Sequence, residues 1–90
     1  MTGRVSVLLV DDHAVVREGY RSVLQKQPGL YVVAEAVDGE EGLKRFGEKT
    51  YDVVICDIKM PKLDGIEFLE KAKDINPDVP IIMVSGIRSA

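Results

Sequence analysis

At 90 residues the chain is long enough for one domain, and its 46% hydrophobic content is enough to bury a core. No apolar run reaches membrane-spanning length and the N-terminus lacks a signal-peptide pattern, so a soluble, cytoplasmic protein is expected. Twelve basic against 15 acidic residues argue against nucleic acid as a partner of this segment, and the single cysteine, Cys56, excludes an internal disulfide or a cysteine-based zinc cluster.

Residues 5–10, Val-Ser-Val-Leu-Leu-Val, form a short apolar run that stops at Asp11 and Asp12. Such a run suits a strand buried on both faces. The period then changes. Val16, Tyr20, Val23 and Leu24 share one stripe of a helix over residues 14–26, with Asp12 as its expected N-cap. Gln27-Pro28-Gly29 breaks that helix, and residues 30–36 read as a second strand. Asp38 and Glu41 have capping-box spacing before a helix that turns Leu43 and Phe46 inward and ends near residues 47–50.

Residues 52–57 are a third strand, apolar until it meets Asp57, followed by a loop over residues 58–65. Asp64 and Glu67 repeat the capping box before a helix with Ile66, Leu69, Ala72 and Ile75 at helical intervals. Asn76-Pro77-Asp78 ends it, and residues 80–85 are the fourth strand. The order βαβαβαβ points to a parallel sheet with helices on its faces. Ligands of such sheets bind beyond the C-terminal strand ends. The polar residues found there are Asp11, Asp12, Asp57 and Ser85.

Aspartates converging at neighbouring strand ends repel one another unless a cation or a proton is shared. An all-oxygen site suits Mg2+ or Mn2+, and a carboxylate beside such an ion can attack phosphorus. The spacing leaves a second reading open, in which Asp12 caps a helix while Asp11 and Asp57 are solvated strand ends. Cys56 faces opposite to Asp57 and reads as core. His13 reads as a first-turn or surface residue, because a hard oxygen site has little use for imidazole. Gly65 is expected to permit the turn before its helix.

Three blocks resemble the receiver domain of two-component response regulators: Val7-Leu8-Leu9-Val10-Asp11-Asp12-His13, residues 57–65 from Asp57 through Met60-Pro61 to Asp64-Gly65, and residues 81–86. The opening Asp-Asp-His with Arg17-Glu18-Gly19 is similar to the subfamily whose receivers precede a helix-turn-helix DNA-binding domain. The resemblance implies a flavodoxin-like, doubly wound parallel sheet of strand order 2-1-3-4-5. It makes Asp57 the phosphoacceptor, fed by a histidine kinase or a small donor such as acetyl phosphate. Asp12, Asp57 and the backbone carbonyl of Lys59 would hold the metal, Asp11 would act mainly through a metal-bound water, and Ser85 would hydrogen-bond the phosphoryl group.

A complete receiver continues with a helix, a strand and a helix, roughly 30 more residues. These carry a lysine that pairs with the phosphoryl group and an aromatic switch residue. Residues 1–90 therefore match the N-terminal three quarters, and slower transfer and an uncoupled switch are expected. The fourth strand, left as an edge, is expected to promote self-association by pairing or exchange of elements. Two other functions compete: an interaction module that no longer takes phosphate, and an aspartyl-phosphate hydrolase of the haloacid dehalogenase type. The second calls for Asp-x-Asp, and Lys59 stands where the second aspartate would be.

Overall fold

The computed structural model describes residues 4–60 and 62–84. In chain order they form β1 (Val5–Val10), α1 (Ala14–Gln25), β2 (Leu30–Ala36), α2 (Gly39–Glu48), β3 (Val53–Asp57), α3 (Gly65–Ile75) and β4 (Ile81–Val84). The strands make one parallel sheet in the order β2-β1-β3-β4, the first four places of the order expected from the resemblance. β1 is central, and Val7, Leu8, Leu9 and Val10 are all buried, as a strand covered on both faces requires.

Side-chain alternation sorts the sheet into two layers. Leu8, Val10, Val54, Cys56 and Ala36 face the main core, where Phe46 of α2 and Phe68 and Ala72 of α3 close over them. The two phenyl rings meet edge-on with centroids 6.4 Å apart. The opposite face carries Glu35, which binds Arg17 and Arg21 of α1. α1 therefore lies on that side, against β2.

Local chemistry fixes most boundaries. Gly29 holds φ +85 in the turn before β2, and its carbonyl accepts from the Val5 amide at 2.6 Å. Asp52 clasps Ser6: its carboxylate accepts from the Ser6 amide and hydroxyl, and its own amide donates to the Ser6 Oγ. The Asp52 amide also donates to the Ser6 carbonyl at 3.0 Å, so the clasp pins the start of β3, at Val53, against β1. α3 has the full capping box of Asp64 and Glu67. In α2 the Asp38 side chain accepts from the Glu41 amide, but Glu41 reaches past the cap to the Val37 amide.

Three expectations are corrected. The N-cap of α1 is His13, without a side-chain cap bond, because the Asp11 carboxylate folds back onto the His13 amide. On α1 the stripe Val16, Tyr20 and Leu24 is half-buried, whereas Val23 is exposed. On α3 the inward residues are Gly65, Phe68 and Ala72, while Ile66 and Ile75 are exposed.

Candidate functional site

Asp11 directly follows β1 and Asp57 ends β3, and the register Val10↔Cys56 makes these two strand ends neighbours. Both carboxylates are buried, with Asp11 3% and Asp57 1% exposed, and Asp12 is half-buried beside them. The backbone holds the group in place. The Asp11 amide donates to the Ala36 carbonyl at 3.0 Å, and the Asp11 carbonyl accepts from Arg17 Nη1 at 2.8 Å.

One oxygen of each outer partner is satisfied locally. Asp11 Oδ1 accepts from the His13 amide at 2.8 Å, and Asp57 Oδ1 accepts from the Lys59 amide at 3.3 Å. Asp11 Oδ2, Asp12 Oδ1 and Asp57 Oδ2 are buried with no hydrogen-bond partner among the described residues. Three orphaned carboxylate oxygens in one pocket are costly unless a cation or proton joins them. Ligand atoms of Asp11, Asp12, His13 and Asp57 all lie within 4.8 Å of one another.

His13 enters this cluster against expectation. Its Nδ1 lies 3.0 Å from Asp11 Oδ1, 3.1 Å from Asp12 Oδ1 and 3.8 Å from Asp57 Oδ2. The hydrogen bond to Asp11, then the charge of Asp12, raise the His13 pKa above the ordinary imidazole value. Burial raises the Asp57 carboxyl pKa, opposed by the Lys59 N–H and reinforced by the charges of Asp11 and Asp12. Cys56, on the other face of β3, is wholly buried in the core, and burial pushes its thiol up to about 12. That thiol is no nucleophile at neutral pH.

Lys59 is exposed and touches the site through its amide. Ser85 lies outside the described residues; it follows Val84, which pairs with Asp57. Sequence reasoning missed two contributors. Metal chemistry alone marks His13 as a surface residue, and Arg17 enters the sequence pattern only through the Arg17-Glu18-Gly19 resemblance. The spacing of Arg17 four residues after His13, one helical turn above the strand end, was the available signal.

The family model of the response regulator receiver domain matches residues 7–90. The chain is 42% identical over 81 residues to the response regulator GacA of Pseudomonas syringae pv. syringae, covering 90% of this chain and 38% of that protein. It is 35% identical over 86 residues to the protein-glutamate methylesterase/protein-glutamine glutaminase of Treponema pallidum, covering 96% of this chain and 21% of that protein. The chain thus spans well under half the length of these curated relatives. Among solved structures, the response regulator domain of Thermotoga maritima CheB superposes with a TM-score of 0.87 at 39% identity, over 91% of this chain and 60% of that one. A LuxR-family two-component response regulator from Aurantimonas sp. SI85-9A1 gives 0.89 at 34% identity, over 97% of this chain and 62% of that one.

Proposed function

We propose, from the premise that this chain belongs to the response regulator receiver domain family, that Asp57 is the residue that accepts the phosphoryl group. The chain is a phosphoacceptor domain of two-component systems, and receiver domains of response regulators are phosphorylated by histidine kinases. The observation that carries the assignment is Asp57 Oδ2, a buried oxygen with no hydrogen-bond partner among the described residues, next to two further carboxylates at the sheet's C-terminal end.

Receiver domains bind Mg2+ at an acidic pocket, and the ion neutralises charge on the transferring phosphoryl oxygens. Asp12, Asp57 and the Lys59 carbonyl are the proposed direct ligands of Mg2+, or of Mn2+, with Asp11 acting through water. Their orphaned oxygens and all-oxygen chemistry fit a hard divalent cation. Asp57 attacks through a carboxylate oxygen: a P–O bond forms while the donor's P–N bond, or the P–O bond of acetyl phosphate, breaks. The donor's imidazole or acetate leaves with the bonding electrons. The Lys59 N–H, already directed at Asp57, is placed to donate to the new dianion, and Ser85 is proposed to join it.

For the whole protein we propose a cytoplasmic transcription regulator, a reading supported by the likeness to the LuxR-family regulator. No helix of the described residues is long and apolar enough to cross a membrane. Self-association through β4 is also proposed. Among the described residues β4 pairs only with β3, and Ile82 is 51% exposed on it. Light scattering across a wide concentration range tests this, and a monomer throughout overturns it.

Intact mass after incubation with acetyl phosphate and Mg2+ tests the central claim. One phosphoryl adduct is expected, lost in Asp57→Asn and in chelator. An adduct that persists in Asp57→Asn overturns the assignment.

A further inference from the structure

We infer that His13 supplies a nitrogen ligand to the cation site, so that the pocket discriminates against Mg2+ in favour of Mn2+ and Co2+ more than its carboxylates alone would. The inference rests on the proposal that Asp11, Asp12 and Asp57 hold a divalent cation.

The case starts with the backbone. His13 is the extended residue before α1, with φ −102 and ψ 110, and its amide is bonded to the Asp11 carboxylate. That turn carries the ring back over the strand ends. Nδ1 then faces three carboxylate oxygens, from Asp11, Asp12 and Asp57, at 3.0, 3.1 and 3.8 Å. A single N–H can serve only one of them, and Asp11 Oδ1 already accepts from the His13 amide. Asp12 Oδ1 and Asp57 Oδ2 stay without a hydrogen bond despite the nearby nitrogen. Hydrogen bonding therefore uses this arrangement poorly.

A shared cation uses it fully. Octahedral ligands at about 2.1 Å from a small divalent ion have adjacent donor atoms about 3.0 Å apart and opposite ones about 4.2 Å apart. Of the proposed direct ligands, Asp12 Oδ1 at 3.1 Å from Nδ1 matches the adjacent spacing, and Asp57 Oδ2 at 3.8 Å falls between the adjacent and opposite spacings. Nδ1 thus occupies the position of a further donor without a change of rotamer. An imidazole nitrogen adds little for Mg2+ but strengthens binding along the series from Mn2+ to Co2+ and Ni2+. The ring is 57% exposed, so it can ligate without the burial cost that a core histidine would carry.

His13 is the single histidine in the chain, so imidazole coupling in the untagged protein has one source. Pulsed electron paramagnetic resonance of the Mn2+ complex is the test. A 14N coupling from coordinated imidazole is expected, replaced by 15N on labelling with histidine and lost in His13→Ala. Calorimetry should show the Co2+-to-Mg2+ affinity ratio falling on the order of tenfold in that variant. Bound Mn2+, recognised by loss of the free-ion signal, with no imidazole coupling overturns the inference and leaves the carboxylate site standing. No Mn2+ binding at all overturns both.

Discussion

Gly65 stands against the backbone of Asp57. A Cβ at Gly65 would collide with the Asp57 carbonyl oxygen, and would lie 2.6 Å from Met83 Cε and 2.8 Å from Ile58 Cα. Its φ is not in the left-handed region, and its amide donates to the Ile58 carbonyl at 2.8 Å. Glycine is thus required by space, rather than by the turn its place in the sequence suggests. Gly65→Ala is expected to cost about 1–3 kcal/mol, as overpacking does, and to slow phosphorylation by displacing Asp57. Gly19 and Gly47, also helical, have nothing within 4 Å of an added Cβ. Alanine at either should stabilise by roughly 0.5–1 kcal/mol. Urea unfolding of the three variants checks the contrast.

α1 contains no fully buried residue, so its attachment leans on polar contacts. Arg17 links the Asp11 carbonyl to Glu35 of β2, and Arg21 joins the same carboxylate. Removing Arg17 leaves the half-buried Glu35 with the more exposed partner alone. Arg17→Ala should destabilise by about 1–2 kcal/mol. Amide hydrogen exchange should quicken along α1 while α2 and α3 keep their protection. Uniform loss of protection would mean that α1 is not a separable unit.

The caps show what was legible in the sequence and what was not. Asp64→Ala should cost about 1 kcal/mol, because its side chain holds the Glu67 amide. Asp12→Ala should carry no capping cost, since His13 is the cap of α1. Urea unfolding in chelator separates the two. All four strands are legible as short, largely apolar runs, and the convergence of Asp11, Asp12 and Asp57 follows because two of them, β1 and β3, stop at carboxylates. The inward face of α3 does not follow so simply. Two apolar stripes run along it, and packing beside Phe46 of α2 on the same face of the sheet selects Phe68 and Ala72 over Ile66 and Ile75. The place of His13 was hidden for a similar reason: its ring is aimed by a side chain two residues earlier, not by the helix it precedes.

Asp57 also makes stability depend on pH, with a definite sign. Burial raises its carboxyl pKa above the ordinary value near 3.8, so the folded chain holds that proton more tightly than the unfolded one. Its stabilising contribution is complete below the ordinary value and is lost as pH rises through the raised one. His13, also raised, adds stability below 6.5 that is lost through its own raised pKa, so both slopes run the same way. In chelator, stability should therefore decline from acid toward neutral pH. Asp57→Asn removes the buried charge and should raise Tm at pH 7 by about 4–8 °C, the effect of ~1 kcal/mol in a domain of this size. That gain should shrink as pH falls through the raised carboxyl pKa, where the native carboxyl takes up its proton. Adding Mg2+ should close the gap from the other side, stabilising the parent by mass action and the variant much less. Thermal melts of both proteins between pH 4 and 8, with and without Mg2+, measure each of these. A variant less stable than its parent at pH 7 in chelator would mean that the carboxylate is held by a cationic partner strong enough to outweigh its burial, and His13 is the group placed to be that partner.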